Sequence, residues 1–432
     1  MPTDLAEFIR DARVIDTHEH MAKEPVWTST PRDVLTDLFN NYSPADLLSA
    51  GASPDAIARL MDGSDPDTEA RWSGVREAWS AIRHTGYGQA VSLLAREIYQ
   101  IDEIEPDALR RAQPRLDALA QPGARLHLLR DVAKLDHIQT DDKQIACPTD
   151  ESGPDFFFYD ISWVGFISRG VDWNDVEADT GVAVKDLATL RQAMQAIFDI
   201  HAPRAIAVKT QHAYNRTLRW ESRSDADAER AFAAIQSGGE VDEAAQLCFG
   251  DWCLARGVEL AGEHDLPVKI HTGYYAGNGN MVVDRIRAGH LCPLLIAYPD
   301  TRFVLMHIAY PYEEEVIALA KHFANAWADL CWAWSINPVA SARFVRSFVH
   351  AAPANKLFAF GGDTTTPTNA YAYSLQMRRY LAKALEAEVA DGEMTERDAI
   401  EFAQRVLFDN QANCFDVKGT RAANADQMAG ST

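Results

Sequence analysis

Two histidines lie two residues apart in Asp16-Thr17-His18-Glu19-His20, directly after the apolar pair Val14-Ile15. Side chains of an extended strand alternate between faces, so His18 and His20 share one face and Glu19 takes the other. Glu19 is therefore read as structural. Two imidazoles projecting together from a strand end form a pair of ligands for a divalent transition metal. On spacing alone a His-x-His pair is more often a surface accident, so the reading depends on what else the chain supplies.

Further candidates also close short β-like runs. Lys209 follows Ala207-Val208, His271 follows Val268-Lys269-Ile270, and His307 follows Val304-Leu305-Met306. Trp332 follows Leu330-Cys331, and Asp363 follows Phe360-Gly361-Gly362. The β-like runs fall at 13–20, 136–141, 156–162, 205–209, 268–271, 303–307, 328–332 and 357–361. Helical patterns at 184–200, 226–235, 240–264, 311–323 and 338–350 separate the later ones. Eight strands alternating with helices predict an α/β fold, the closed (β/α)8 or TIM barrel. All strand C-termini of such a barrel open on one mouth, where residues distant in sequence meet. His18, His20, His271 and His307 with Asp363 then give a nitrogen-rich set with one hard oxygen ligand, which suits Zn2+ or another divalent transition metal.

Each residue also has a plainer explanation. His271 alone reads as a hydrogen-bonded structural histidine, and Asp363 as a turn or cap residue after two glycines. The ordered set at strand ends favours function for both. Lys209 at a buried strand end needs an anion, a modification or a shifted pKa. Tyr214, Asn215, Arg216 and Arg219 beside Trp220 form a cationic aromatic patch, fit for a substrate carboxylate or simply a solvated loop. The glycine-bearing loop 274–280, with Tyr274, permits close backbone approach to a ligand. Trp332 and Trp334 wall the pocket or belong to the core. Tyr214, Arg216, Tyr274 and Trp332 are the candidate substrate contacts, and His212 lies near the same mouth.

The net charge of −22 argues against nucleic acid or an anionic membrane as partner and leaves a small-molecule substrate. The six cysteines show no paired spacing, which fits reduced thiols in a cytoplasmic protein. The N-terminus does not read as a signal peptide, and no apolar run is long enough to span a bilayer. Residues 22–134 differ in character, with helix formers, Trp27, Trp72 and Trp79, and breaks at Ser53-Pro54 and Asp65-Pro66. They read as a helical insertion in a single-domain barrel. Leaving the mouth side after strand one, the insertion either roofs the site or contacts another copy in a homo-oligomer. The small, polar tail 419–432 reads as frayed.

The order of these motifs resembles the amidohydrolase superfamily along nearly the whole chain. Val208-Lys209-Thr210, Ile270-His271-Thr272-Gly273, Leu305-Met306-His307-Ile308-Ala309-Tyr310-Pro311 and Phe360-Gly361-Gly362-Asp363 are similar to its amidohydrolase-related (amidohydrolase 2) branch, which includes nodulin/FluG-like domains. The stretch 392–410 is similar to that branch's closing helices. The arrangement more distantly resembles uronate isomerases and metal-dependent decarboxylases. The resemblance implies His18, His20, His271 and Asp363 as ligands of one metal, with Asp363 also moving protons and His307 acting on the substrate or its oxyanion. In the two-metal variant it implies His271 and His307 on the second ion and a carboxylated Lys209 as bridge. An unmodified Lys209 would neutralise a substrate carboxylate. The expected activity is hydrolysis of an amide or ester of a small acid. The rivals are decarboxylation or isomerisation on the same site, and a non-catalytic metal-stabilised binding module.

Overall fold

The computed structural model describes residues 3–168, 170–237 and 241–430. Eight parallel strands follow one another in chain order: β1 (Val14–Glu19), β2 (Leu135–Thr140), β3 (Phe157–Ser162), β4 (Ala205–Thr210), β5 (Val268–His271), β6 (Phe303–Met306), β7 (Ala326–Asp329) and β8 (Leu357–Phe358). Their residues are almost all buried, as expected where helices cover a sheet whose other face fills the barrel. That is why strands such as Ala205-Ile206-Ala207-Val208 read as continuous apolar runs rather than alternating ones.

The regular part of β8 is only two residues long, and the nearly closed barrel is completed by the backbone beyond it. Thr17 N–H donates to the Phe360 carbonyl at 3.0 Å, Asp363 N–H to His18 at 2.9 Å, and His20 N–H to Thr364 at 3.0 Å. The extended segment 360–364 thus lies against β1 and carries Asp363 to the two histidines.

Two sequence readings need correction. β7 ends at Asp329, not at Trp332, because Trp332 turns left-handed (φ +59°) into the short helix Ala333–Ile336. The tail read as frayed is a helix, Val417–Gly430, anchored where Arg421 donates to Asp136 Oδ2 at 2.6 Å and Asn424 to the Pro154 carbonyl at 3.1 Å. Residues 431–432, and Glu240 at the start of one expected helix, lie outside the described residues. That helix runs Glu243–Glu263.

Between β1 and β2 the described elements are helices, from Glu24–Ser29 to Leu128–Val132. They bury a core of their own, including Leu38, Phe39, Leu47, Trp72 and Leu94, which also takes in Ala372 of the long helix Pro367–Ala390. Gly86 brings this layer against the short helix Ala333–Ile336, since a Cβ there would stand 2.0 Å from the Ser335 carbonyl oxygen. Gln376 fixes the same contact by donating to the Gly86 carbonyl at 2.9 Å.

On the same long helix, buried Arg378 donates to the carbonyls of Ile9 (2.5 Å), Ala12 (2.9 Å) and Ala133 (2.9 Å). Arg378→Ala leaves these acceptors without their partner and should destabilise the fold by about 3 kcal/mol. The denaturant midpoint should fall with an unchanged slope, and an unchanged midpoint would show that water replaces the guanidinium without loss.

Candidate metal centre

The site is assembled by β1 and the segment after β8. His20 Nδ1 lies 2.5 Å from the Asp141 carbonyl oxygen, so Nδ1 carries the proton and Nε2 presents a lone pair. That Nε2 faces Asp363 Oδ1 at 3.3 Å, and His18 Nε2 faces the same oxygen at 3.4 Å. His18 Nδ1 has no hydrogen-bond partner among the described residues, and Asp160 Oδ2 of β3 stands 3.9 Å from it. Lys269 of β5 holds that carboxylate at 2.9 Å and donates to the Thr17 carbonyl at 2.8 Å. Lys209 is fully buried, with Nζ 3.1 Å from His18 Nε2.

The other oxygen of Asp363 faces β6. His307 Nε2 is 3.7 Å from Asp363 Oδ2, and His307 Nδ1 is 2.9 Å from the Cys331 carbonyl oxygen. Nδ1 is therefore the protonated nitrogen, and Nε2 is a buried lone pair without a partner among the described residues. This tautomer changes the expected role of His307, because a neutral imidazole with its proton on Nδ1 accepts at Nε2 and cannot donate there to an oxyanion. The His271 ring is 4.3 Å from that of His307, and its Nε2 lies 3.0 Å from the Tyr274 carbonyl oxygen, leaving Nδ1 as its lone pair.

Burial sets the charge states, modified by neighbours. It pushes His307 down to about 3 and, with the Lys209 ammonium, lowers His18. Burial followed by His307 holds His271 well below the usual imidazole range. For Asp363, burial opposes ionisation, but the imidazoles of His18 and His20 overcome it and hold the carboxyl well below the usual range. For His20, burial opposes protonation, but the Asp363 carboxylate outweighs it and raises the imidazole above its usual range. Three neutral imidazoles thus surround an ionised carboxylate whose fourth neighbour, His20, is drawn toward protonation.

Those donors test whether a metal fits. His20 Nε2 and Asp363 Oδ1 are both acceptors, 3.3 Å apart, with no protein hydrogen to share while His20 is neutral. A divalent cation satisfies both. His18, His20 and Asp363 bring one ligand atom each within 4.8 Å of one another, and so do His307, Cys331 and Asp363. His271 is in neither trio.

A layer of buried carboxyls fixes the strand ends from below. His18 N–H donates to Asp16 at 3.1 Å, Thr364 N–H to Glu19 at 2.6 Å, and Cys331 N–H and Thr17 Oγ1 to Asp329 at 2.8 and 2.7 Å. Burial pushes Asp16 and Asp329 each up to about 7 and Glu19 well above its usual range. Backbone strain gathers on the same rim. His307, Ile308, Ala309, Trp332 and Asp363 all have positive φ, between +47° and +64°. Non-glycine residues are held this way at a cost, commonly where a site requires it.

Aromatic rings wall the mouth. The Trp332 ring lies 4.4 Å from Tyr42, 5.5 Å from His307 and 5.8 Å from Tyr274. Tyr42 comes from the helices between β1 and β2 and donates to the Asp363 carbonyl at 2.5 Å. Tyr214 stands 5.0 Å from the His271 ring. Arg216 is not drawn to this cluster by its recorded contacts. Its guanidinium pairs with buried Asp251 at 2.5 Å and with the Arg219 carbonyl, in the scaffold. His212 is likewise occupied, with Nδ1 3.0 Å from Thr210 Oγ1.

Sequence reasoning missed Cys331, Tyr42 and Asp160. Cys331 lay in a run already placed at the mouth, and Asp160, a charge inside an aromatic strand, was a signal not taken. Nothing local to Tyr42 marks it.

Residues 216–396 match the amidohydrolase family model. The protein fluG of Emericella nidulans is 23% identical over 226 residues, 50% of this chain and 26% of that protein, so the chain spans about a quarter of its length. The uronate isomerase of Thermotoga maritima superposes with a TM-score of 0.76 at 13% identity, covering 95% of this chain and 96% of that one. The glucuronate isomerase of Caulobacter crescentus gives 0.76 at 18%, covering 96% and 95%. A protein named as a metal-dependent hydrolase from Lactobacillus casei gives 0.64 at 16%, covering 96% and 98%. At these identities the structural likeness is one of fold. The family-model match and the fluG relative, with the ordered motifs on that barrel, support an amidohydrolase-superfamily, FluG-like assignment.

Proposed function

We propose that this protein is a metal-dependent hydrolase that cleaves an amide or ester bond of a small acid. The observation that carries the reading is the convergence of the His18 and His20 lone pairs on one oxygen of Asp363, with the other oxygen turned to His307. His18, His20 and Asp363, with His271 as a further nitrogen donor, would hold a divalent cation, Zn2+ by donor type, which would supply a Lewis acid able to lower the pKa of water toward about 7. Asp363, already ionised, accepts the proton of the attacking water and returns it to the departing nitrogen or oxygen. His307 Nε2 orients that water by accepting its second hydrogen. Lys209, as an ammonium, balances the substrate's carboxylate; if carboxylated, it would bridge two ions instead. Tyr214, Tyr274 and Trp332 line the pocket, with residues 22–134 as its roof. The partner is a small molecule rather than nucleic acid or membrane, and we place the protein in the cytoplasm. Among the described residues no helix is long and apolar enough to cross a membrane.

The test is product analysis with zinc-loaded protein on amides and esters of small acids. Released amine or alcohol supports hydrolysis. Carbon dioxide, or an aldose–ketose change on a uronate, would replace it with decarboxylation or isomerisation. Full metal content without turnover on any substrate would favour a binding module. His307→Asn should lower kcat by about 10²-fold at unchanged zinc content of the His18–His20 position. Loss of zinc in proportion to activity would make His307 a ligand of that ion.

A further inference from the structure

Asp363 divides its two oxygens between two clusters. Oδ1 faces the nitrogens of His18 and His20 at 3.4 and 3.3 Å, and Oδ2 faces His307 Nε2 at 3.7 Å. The second confrontation has the same defect as the first. His307 Nδ1 donates its hydrogen to the Cys331 carbonyl, and Nε2 is a fully buried lone pair opposite a carboxylate oxygen. Two facing acceptors repel unless something positive lies between them. The third group on this side is the buried thiol of Cys331, whose Sγ lies with one ring nitrogen of His307 and one oxygen of Asp363 so that all three are within 4.8 Å of one another. Gly361 makes room for it, since a Cβ there would stand 2.7 Å from that sulfur. One imidazole, one thiol and one carboxylate form a soft N/S/O set of the kind that selects zinc, cadmium or cobalt over magnesium or calcium.

We propose that His307, Cys331 and Asp363 form a second, thiolate-containing position for a soft divalent cation, and that filling it inhibits the enzyme. The inference rests on the hydrolytic reading in two respects: it takes the first cation to sit at His18 and His20, and it takes His307 and Asp363 as the groups that orient the attacking water and move its proton. The spacings argue for that order, because the first cluster is the tighter one and has two imidazoles. Binding at the second position forms a sulfur–cation bond and releases the thiol proton to solvent, with no change of oxidation state. It occupies the lone pair of His307 and the free oxygen of Asp363, the groups that orient the attacking water and take its proton. Excess metal therefore removes the base without displacing the first ion.

Metal-free protein is titrated with Co2+ while absorption and turnover are followed. The first equivalent should give visible cobalt bands and activity. The second should add a near-ultraviolet thiolate-to-cobalt band and abolish turnover. Cys331→Ser should keep the first equivalent and its activity, lose the thiolate band, and need about tenfold or more metal for the same inhibition. A first ion bound with activity but no thiolate band at excess cobalt overturns the inference and leaves the one-cation reading standing. A thiolate band that survives in Cys331→Ser also overturns it, since another cysteine is then the ligand. A thiolate band rising with a single bound ion overturns the assumed order. Failure of any cobalt to bind sinks the metal reading as a whole.

Discussion

Asp363→Asn should abolish turnover, lowering kcat by at least about 10³-fold, while zinc at the His18–His20 position is largely kept. An amide retains a carbonyl oxygen to face His18 and His20, and its NH2 can turn to the lone pair of His307 Nε2, which is 3.7 Å from the present Oδ2. What it cannot do is accept a proton at neutral pH. Metal content and kcat should be measured on the same preparations. Appreciable kcat in the variant would show that another group moves the proton. Loss of zinc together with activity would show that the charge of Asp363, rather than its proton chemistry, is what the site needs.

The second large effect is expected for His18→Ala with His20→Ala. Both lone pairs opposite Asp363 Oδ1 are removed, so bound zinc should fall below detection and activity with it. The folded protein should also lose its stabilisation by metal. Wild type at a free zinc concentration 100 times its Kd should gain about 2.7 kcal/mol, whereas the double variant should show no zinc-dependent shift of Tm. Retained stoichiometric zinc in the double variant would move the principal metal position away from β1.

The barrel was legible because parallel strands covered on both sides are written as short apolar runs, and several here end in or just before a residue whose chemistry stands out from the run. Val268-Lys269-Ile270-His271 and Phe303-Val304-Leu305-Met306-His307 are of this kind. The end of β7 was misplaced because Leu330-Cys331-Trp332 is as apolar as a strand, and only a left-handed turn at Trp332 tells them apart. The tail misled for a related reason. Small polar residues carry no hydrophobic stripe, yet Arg421 and Asn424 hold that helix through polar contacts to the barrel. At the site, residue types could be read, but tautomers could not. That His307 accepts rather than donates at Nε2 depends on one carbonyl of Cys331, a residue 24 positions away. The contacts of Tyr42 with Asp363 and Trp332 depend on how separate helices lie over the mouth, which no local pattern records.

The seam between β1 and the segment after β8 also fixes when this site can come into being. Glu19 and the Thr364 amide it accepts from are 345 residues apart, and the backbone bonds that bring Asp363 to His18 lie on the same seam. On a translating ribosome the histidine pair emerges first, and at about 5–20 residues per second its carboxylate partner follows on the order of tens of seconds later. Throughout that interval the nascent chain shows two imidazoles but no closed barrel. The long loop between the ends must be gathered before the seam repays its closure. On the proposed reading, metal capture is therefore a late event in the birth of this molecule, and the cation would lock the finished barrel rather than nucleate its folding.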